Sequence, residues 1–208
     1  MTLQSVLVVG GGLAGLTVAK MLLDSGIKPL VVCDANPLAG SKNAGGFITP
    51  ISGIKMNLFP GHATQLPFAL EYYRYLQRYY QVEIVKKIKA HTYFNHELHQ
   101  KNFLKNIKKT DYQKYVRGFW ESSPQTGMGG FEHEVWHVQV EKLMAQITSE
   151  LKNCNAYIKS YLDITQINKD KKLSWQGKNF DKVVLCEGAF TEPNKYFNLN
   201  SEKILGDI

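Results

Sequence analysis

The feature that most constrains this chain is Gly10-x-Gly12-x-x-Gly15, set between an apolar run at 6–9 and an apolar-periodic stretch at 13–25. Glycines this close together weaken helices and strands alike, so they mark a turn between the two. The run Val6-Leu7-Val8-Val9 has the continuous apolar character of a strand buried on both faces. Leu16, Ala19, Leu22 and Leu23 recur at helical spacing, and Gly26 supplies a stop. Leu30-Val31-Val32-Cys33 then reads as a second buried strand, ending at Asp34. Strand, helix and strand within about 30 residues make a parallel pair, and parallel pairs of this kind build a doubly wound α/β sheet.

Each glycine has a physical task. Gly10 permits the tight turn leaving the strand, Gly12 lets backbone approach a pyrophosphate, and Gly15 lets the helix lie close to the sheet. The first N–H groups of the helix, at Leu13 and Ala14, and its positive end then face the phosphates. Asp34 lies about 20 residues on, where a carboxylate accepts hydrogen bonds from ribose hydroxyls. The same charge repels a 2′-phosphate, which argues against NADP. With Ala35 and Asn36 these residues form a candidate dinucleotide site, and alone they do not separate FAD from NAD.

The stretch that follows carries that distinction. Residues 34–47 read Asp-Ala-Asn-Pro-Leu-Ala-Gly-Ser-Lys-Asn-Ala-Gly-Gly-Phe. This resembles the D-amino-acid oxidase and glycine oxidase superfamily of FAD-dependent oxidoreductases. The resemblance implies a loop that wraps the pyrophosphate and reaches the flavin ring. Ser41 and Asn43 offer donors to phosphate or ribitol oxygens, and Ala44, Gly45 and Gly46 let the backbone pass against a planar ring. A second stretch, Lys182-Val-Val-Leu-Cys-Glu-Gly-Ala-Phe190, is similar to the family's later strand and glycine turn. It implies that Glu187 and Gly188 lie near the cofactor. Ile164 aligns with a family position beside the adenine. Residues 131–147 resemble the segment leading back from substrate domain to cofactor domain. The resemblance is closest at 6–47, looser at 182–190 and faint between 60 and 130.

The family implies a Rossmann-like, glutathione-reductase-like FAD-binding domain with an inserted α+β substrate domain, incomplete here at the C-terminus. The expected division is 1–60 with 131–198 for the FAD domain, 61–130 for a partial substrate domain, and 199–208 as the start of a continuation. The implied activity is oxidation of an amine or amino acid by hydride transfer to flavin. Such oxidases often use no protein base, so no catalytic residue is assigned. Arg74, Arg78 and Arg117 read first as solvated surface and second as anchors for a substrate anion. Two alternatives stay open. The loop at 46–55 is most similar to bacterial members related to the tRNA wobble-uridine modification oxidase, although Thr49 stands where Asn is typical; tRNA is then a partner second to a small amine. The other alternative is a catalytically incomplete FAD-binding fragment.

Composition narrows the rest. The 208 residues are 44% hydrophobic and 21% charged, enough for a sizeable core and against wholesale disorder. Net charge is +7 and the pI about 9.2. Lysine supplies nearly all of that charge, which is weak support for a phosphate-reading surface. Cys33, Cys154 and Cys186 form no disulfide framework, and with no basic leader before the first strand a cytoplasmic protein is expected. His91, His96 and His99 lack metal-ligand spacing, so no metal site is expected. The remaining pattern predicts a loop at 37–61, a helix at 64–80 with an aromatic stripe, and strands and hairpins over 82–116. After a hinge at 124–130 it predicts a strand at 135–138, a helix at 140–151, a β-meander over 158–175 and a buried strand at 181–186.

Overall fold

The chain begins with β1 (Ser5–Val9), which leads through α1 (Leu13–Asp24) to β2 (Lys28–Cys33). The structure is a computed structural model, and it describes residues 4–33, 40–122, 127, 129–168 and 173–188. Asp34, Ala35 and Asn36 lie outside the described residues. As the two sequence periodicities require, β1 and β2 pair in parallel, with Val6 opposite Pro29 and Val9 opposite Val32. Gly15, Leu16 and Ala19 are buried on the inner face of α1, while Leu22 and Leu23 are half-buried. A short helix, α2 (Gly40–Asn43), follows.

The chain then enters a second compact unit. Contacts divide the molecule into Met1–Ala44 with Val140–Ile208, and Gly45–Gln139. These limits fall at 44/45 and 139/140, whereas the sequence placed the division at 60/61 and 130/131. The reason is strand pairing. β3 (Phe47–Ile48) pairs antiparallel with β8 (Gly130–Val138), so both belong to the inserted unit.

Between them the inserted unit runs β4 (Ile51–Ser52), β5 (Asn57–Leu58), α3 (Gln65–Tyr80), β6 (Val85–Tyr93), α4 (Glu97–Asn106), α5 (Thr110–Gln113) and β7 (Val116–Trp120). β3, β6 and β7 all pair with β8. β4 and β5 form the hairpin that occupies part of the expected 37–61 loop. α3 buries Leu66, Leu70 and Leu76, and ends at Gln81 in the left-handed region. The Gln77 side chain then accepts the N–H groups of Ile84 and Val85 at 3.0 and 3.2 Å, steering the chain into β6. On α3 the aromatic stripe packs partly on itself, with Tyr72, Tyr75 and Tyr79 rings 5.9 and 6.0 Å apart in succession.

Strands and hairpins were expected throughout 82–116, but only β6 and the start of β7 take that form. α4 and α5 occupy 97–113. His96 caps α4 by accepting the Leu98 N–H at 3.1 Å, and Glu97 and Lys105 complement the helix dipole at its two ends. The core of this unit is aromatic: Phe94, Phe103, Tyr112 and Phe131 pack with Ile51 and Met56. Asn106 is buried beside it. Its amide donates to the carbonyls of Lys55 and Met56 at 3.2 and 3.0 Å, fixing the β4–β5 turn to α4.

The chain returns to the first unit through α6 (Val140–Asn153) and β9 (Tyr157–Lys159), then a 3-10 turn at Ile164–Gln166. β10 (Leu173–Trp175) and β11 (Lys178–Phe180) form a hairpin whose turn, Gln176-Gly177, has both φ values positive. A 3-10 turn and a two-stranded hairpin therefore stand where a meander was expected. β12 (Lys182–Leu185) closes the described chain. α6 buries Val140, Leu143, Ile147 and Leu151, the spacing of one helical face.

The central sheet has the order β12-β1-β2-β9, and every pairing is parallel. Leu7, Val9, Leu30 and Val32 face one core with Leu162, Ile167, Trp175 and Phe180. The alternate residues Val6, Val8 and Val31 are equally buried, as strand geometry requires of a covered sheet. β12 is half-buried at the sheet margin rather than buried on both faces. Asp181 sets its register by accepting the N–H groups of Gln4 and Ser5 through one carboxylate oxygen, each at 2.9 Å. The covering helices are joined by Lys20 of α1, a fully buried lysine whose ammonium meets Asp24 and, at 3.3 Å, Glu150 of α6.

Candidate functional site

In an open parallel sheet the ligand site lies beyond the carboxyl ends of the strands, where the strand order reverses. Here that point is the boundary between β12 and β1. From β1 the chain goes to β2 on one side, and β12 is laid down on the other. Gly10 sits at that boundary. Its N–H donates to the Val32 carbonyl at 2.8 Å, and the Cys186 N–H donates to the Val9 carbonyl at 2.7 Å.

The turn has no room for side chains. Gly10 has φ +106°, and a Cβ there would stand 2.1 Å from the Cys186 carbonyl oxygen. A Cβ on Gly15 would stand 1.9 Å from the Gly10 carbonyl oxygen. Two of the three fingerprint glycines are thus demanded by packing of the turn itself. Gly12 differs, since its nearest neighbour would be the Ser41 hydroxyl at 3.1 Å. Gly11, which the sequence reading treated as a spacer, is also hemmed in. A Cβ on it would meet the Cys33 sulfur at 2.7 Å and the Tyr157 hydroxyl at 3.4 Å.

α1 starts at Gly12 with no side-chain cap of its own and no acidic residue in its first turn. The amide of Leu13 donates instead to the Ser41 hydroxyl at 2.9 Å. The structure therefore brings Gly10, Gly12, Leu13, Ala14, Gly15 and Ser41 together, with the Glu187 backbone beside Gly10. Gly188 follows with φ +77°. Asn43 ends α2 and Ala44 follows it. Ile164 begins the 3-10 turn after β9, packed against the sheet core. Gly45 and Gly46 belong to the inserted unit, where Gly46, at φ +71°, accepts the Val138 N–H at 2.8 Å.

These residues fit the pyrophosphate of a dinucleotide. The turn is bare of side chains, the helix end is electropositive, and a hydroxyl already lies on its first-turn amide. Burial pushes the Cys186 thiol up, so it stays protonated and packs as a small apolar group.

Arg117 and His91 have structural partners. Arg117 donates to Glu134 through Nε at 3.0 Å, and Lys87 meets the same carboxylate. His91 lies 3.3 Å from Glu132, and both carboxyls are held below their ordinary range, chiefly by hydrogen bonds from His91 and Lys87 respectively. Among the described residues no three His, Cys, Asp or Glu side chains gather as a metal site. No helix among them is long and apolar enough to cross a membrane.

Comparison with known proteins agrees with this geometry. Residues 5–200 match the family model described as DAO, FAD dependent oxidoreductase. No curated protein matches the sequence. Among solved structures, glycine oxidase from Bacillus cereus ATCC 14579 is similar with a TM-score of 0.65 at 15% identity, over 91% of this chain and 56% of that one. Iminodiacetate oxidase from Chelativorans sp. BNC1 gives 0.64 at 13%, over 88% and 55%. L-proline dehydrogenase from P. horikoshii gives 0.65 at 14%, over 89% and 53%. The chain thus spans about half the length of these structures, which share its fold. With the family model covering nearly all of its length, the chain belongs to the DAO family of FAD-dependent oxidoreductases.

Proposed function

We propose that the first unit holds the ADP half of FAD, and that the protein oxidises an amine or amino acid at the carbon bearing the nitrogen. The observation that carries the reading is the pairing of Gly10 and Gly15 in a turn with no space for a Cβ, below a helix start that lacks its own cap. The Ala14 amide would bind the pyrophosphate directly, and the Leu13 amide would act through Ser41, which accepts the Leu13 N–H and would donate its own hydroxyl proton to a phosphate oxygen. Asp34 would take the ribose hydroxyls, Glu187 and Gly188 would border the cofactor beside β1, and Asn43 to Gly46 would carry the chain toward the flavin ring. Bound FAD supplies the hydride acceptor.

Residues 61–130 would contribute part of the substrate domain. The family supports that substrate class, as do the similar structures of glycine oxidase, iminodiacetate oxidase and L-proline dehydrogenase. Cys33, Cys154 and Cys186 form no disulfide, which supports a reducing, cytoplasmic setting.

Purification tests both levels of the proposal. The protein should carry a flavin absorption spectrum and take up FAD after the cofactor is stripped. Anaerobic addition of D- or N-methylated amino acids should bleach that spectrum. Protein that binds NAD and refuses FAD would overturn the cofactor reading. A flavin that no amine reduces would overturn the substrate reading and leave binding intact.

A further inference from the structure

In the reading above the glycine turn would take the phosphates and the acid after β2 the ribose, which leaves the face of the adenine unassigned. We propose that Tyr161 is the stacking platform for the adenine ring, an inference that rests on the nucleotide reading above. Strand order gives the direction. The pyrophosphate belongs at the start of α1, beyond β1. The ribose-binding acid follows Cys33, the last residue of β2. The base continues the same way, across one more inter-strand step of about 4.8 Å, and that step leads to β9.

The residues after β9 are positioned for this role. The Ser160 N–H donates to the Cys33 carbonyl at 2.9 Å, so the chain leaving β9 is tied to the end of β2. Leu162, on the other side, is buried in the sheet core with Ile167 and Trp175. The next turn is closed by Asp163, which accepts the Thr165 N–H and hydroxyl at 2.8 and 2.7 Å. Tyr161 stands between these two anchors at 72% exposure. That far exposed, the ring adds little to folding. Its backbone is held, only two side-chain torsions remain to be ordered, and a planar base would cover it. β9 borders the nucleotide path elsewhere too, since the Tyr157 hydroxyl lies 3.4 Å from the Cβ position of Gly11. Stacking on an aromatic ring complements a base without reading its edge, so it works alongside backbone recognition near Ile164.

The test is calorimetric titration of ADP and FAD into the full chain and into Tyr161→Ala and Tyr161→Phe. Alanine should weaken both ligands about tenfold, and phenylalanine should bind as the native chain does. Unliganded thermal unfolding should be unchanged in all three, because the ring is in solvent. A third variant, Tyr161→Trp, should lose indole emission as ADP saturates. Native affinity for ADP in the alanine variant would overturn the role of Tyr161 and spare the nucleotide site. A native chain that takes up neither ADP nor FAD would overturn the site and the stacking role together.

Discussion

The Leu13 amide donates to the Ser41 hydroxyl at 2.9 Å, so a residue 28 positions later caps the helix that Gly12 leaves bare. Ser41→Ala should lower stability by about 1 kcal/mol, the usual worth of a helix cap. It should also weaken FAD several-fold, and Ser41→Thr should restore both. Thermal unfolding and FAD titration read the two effects separately.

The glycines should not behave alike. Gly15→Ala places a methyl 1.9 Å from the Gly10 carbonyl oxygen and should prevent the first unit from folding, seen as loss of soluble protein. Gly12→Ala meets only the tip of Ser41 at 3.1 Å. That variant should fold with near-native circular dichroism and, if the phosphates approach over Gly12 as proposed, fail to retain FAD.

Lys20→Met should cost about 2 kcal/mol, since both carboxylates left behind keep access to water. Burial alone would lower the Lys20 pKa. The hydrogen bond to Asp24 and the attraction of Glu150 outweigh it and raise the pKa above lysine's ordinary 10.5. The raised value favours the charged, folded form. This contribution is whole below pH 10.5 and lost as pH rises through the folded value. The stability gap between native and variant should therefore close only in strong alkali, as urea titrations across that range would show.

Asn106 is 5% exposed, and its amide serves two backbone carbonyls and the side chain of Asn57. Asn106→Leu leaves those carbonyls without their donor. The expected loss is about 2–3 kcal/mol, read as a lower urea midpoint. Asn102→Ala, on the same helix but only half-buried and holding one carbonyl at 3.0 Å, should lose less than half of that.

His133 is buried, with Nε2 at 2.9 Å from the Thr92 hydroxyl and no partner for Nδ1 among the described residues. Burial first, and the nearby His91 second, hold its pKa below histidine's ordinary 6.5. The folded chain thus prefers the neutral ring, while the unfolded chain protonates more readily. The stabilisation is whole above pH 6.5 and disappears as pH falls from there through the folded value. His133→Gln should be less stable at pH 8 yet show a flatter melting temperature below 6.5.

The β1-α1-β2 unit was legible because two periodicities meet at a glycine turn whose spacing has one good structural use. β12 was legible as a strand from Val183-Val184-Leu185, but its partner was not. That partnership depends on Asp181 binding residues near the other end of the chain. α4 was read as strand or hairpin for a physical reason. Only Phe103 and Asn106 are buried on it, while Leu98 and Leu104 point to solvent, so its apolar residues do not trace one face. Its cap is an imidazole rather than the usual Ser, Thr, Asp or Asn. In the site, the glycines and Ser41 were visible in the local pattern. Tyr161 was not, because its value comes from the neighbouring end of β2, which only the sheet order reveals.

The placement of β12 beside β1 also sets when this protein can first hold a cofactor. The inserted unit, Gly45–Gln139, is one unbroken stretch and can fold as soon as it leaves the ribosome. β1 gains β2 early, but its other neighbour comes 176 residues downstream, where Ser5 meets Asp181. Until then the wall that Cys186 raises over Gly10 does not exist. A nascent chain therefore carries the glycine fingerprint long before that turn has both of its neighbouring strands, and flavin capture has to follow the synthesis of Cys186.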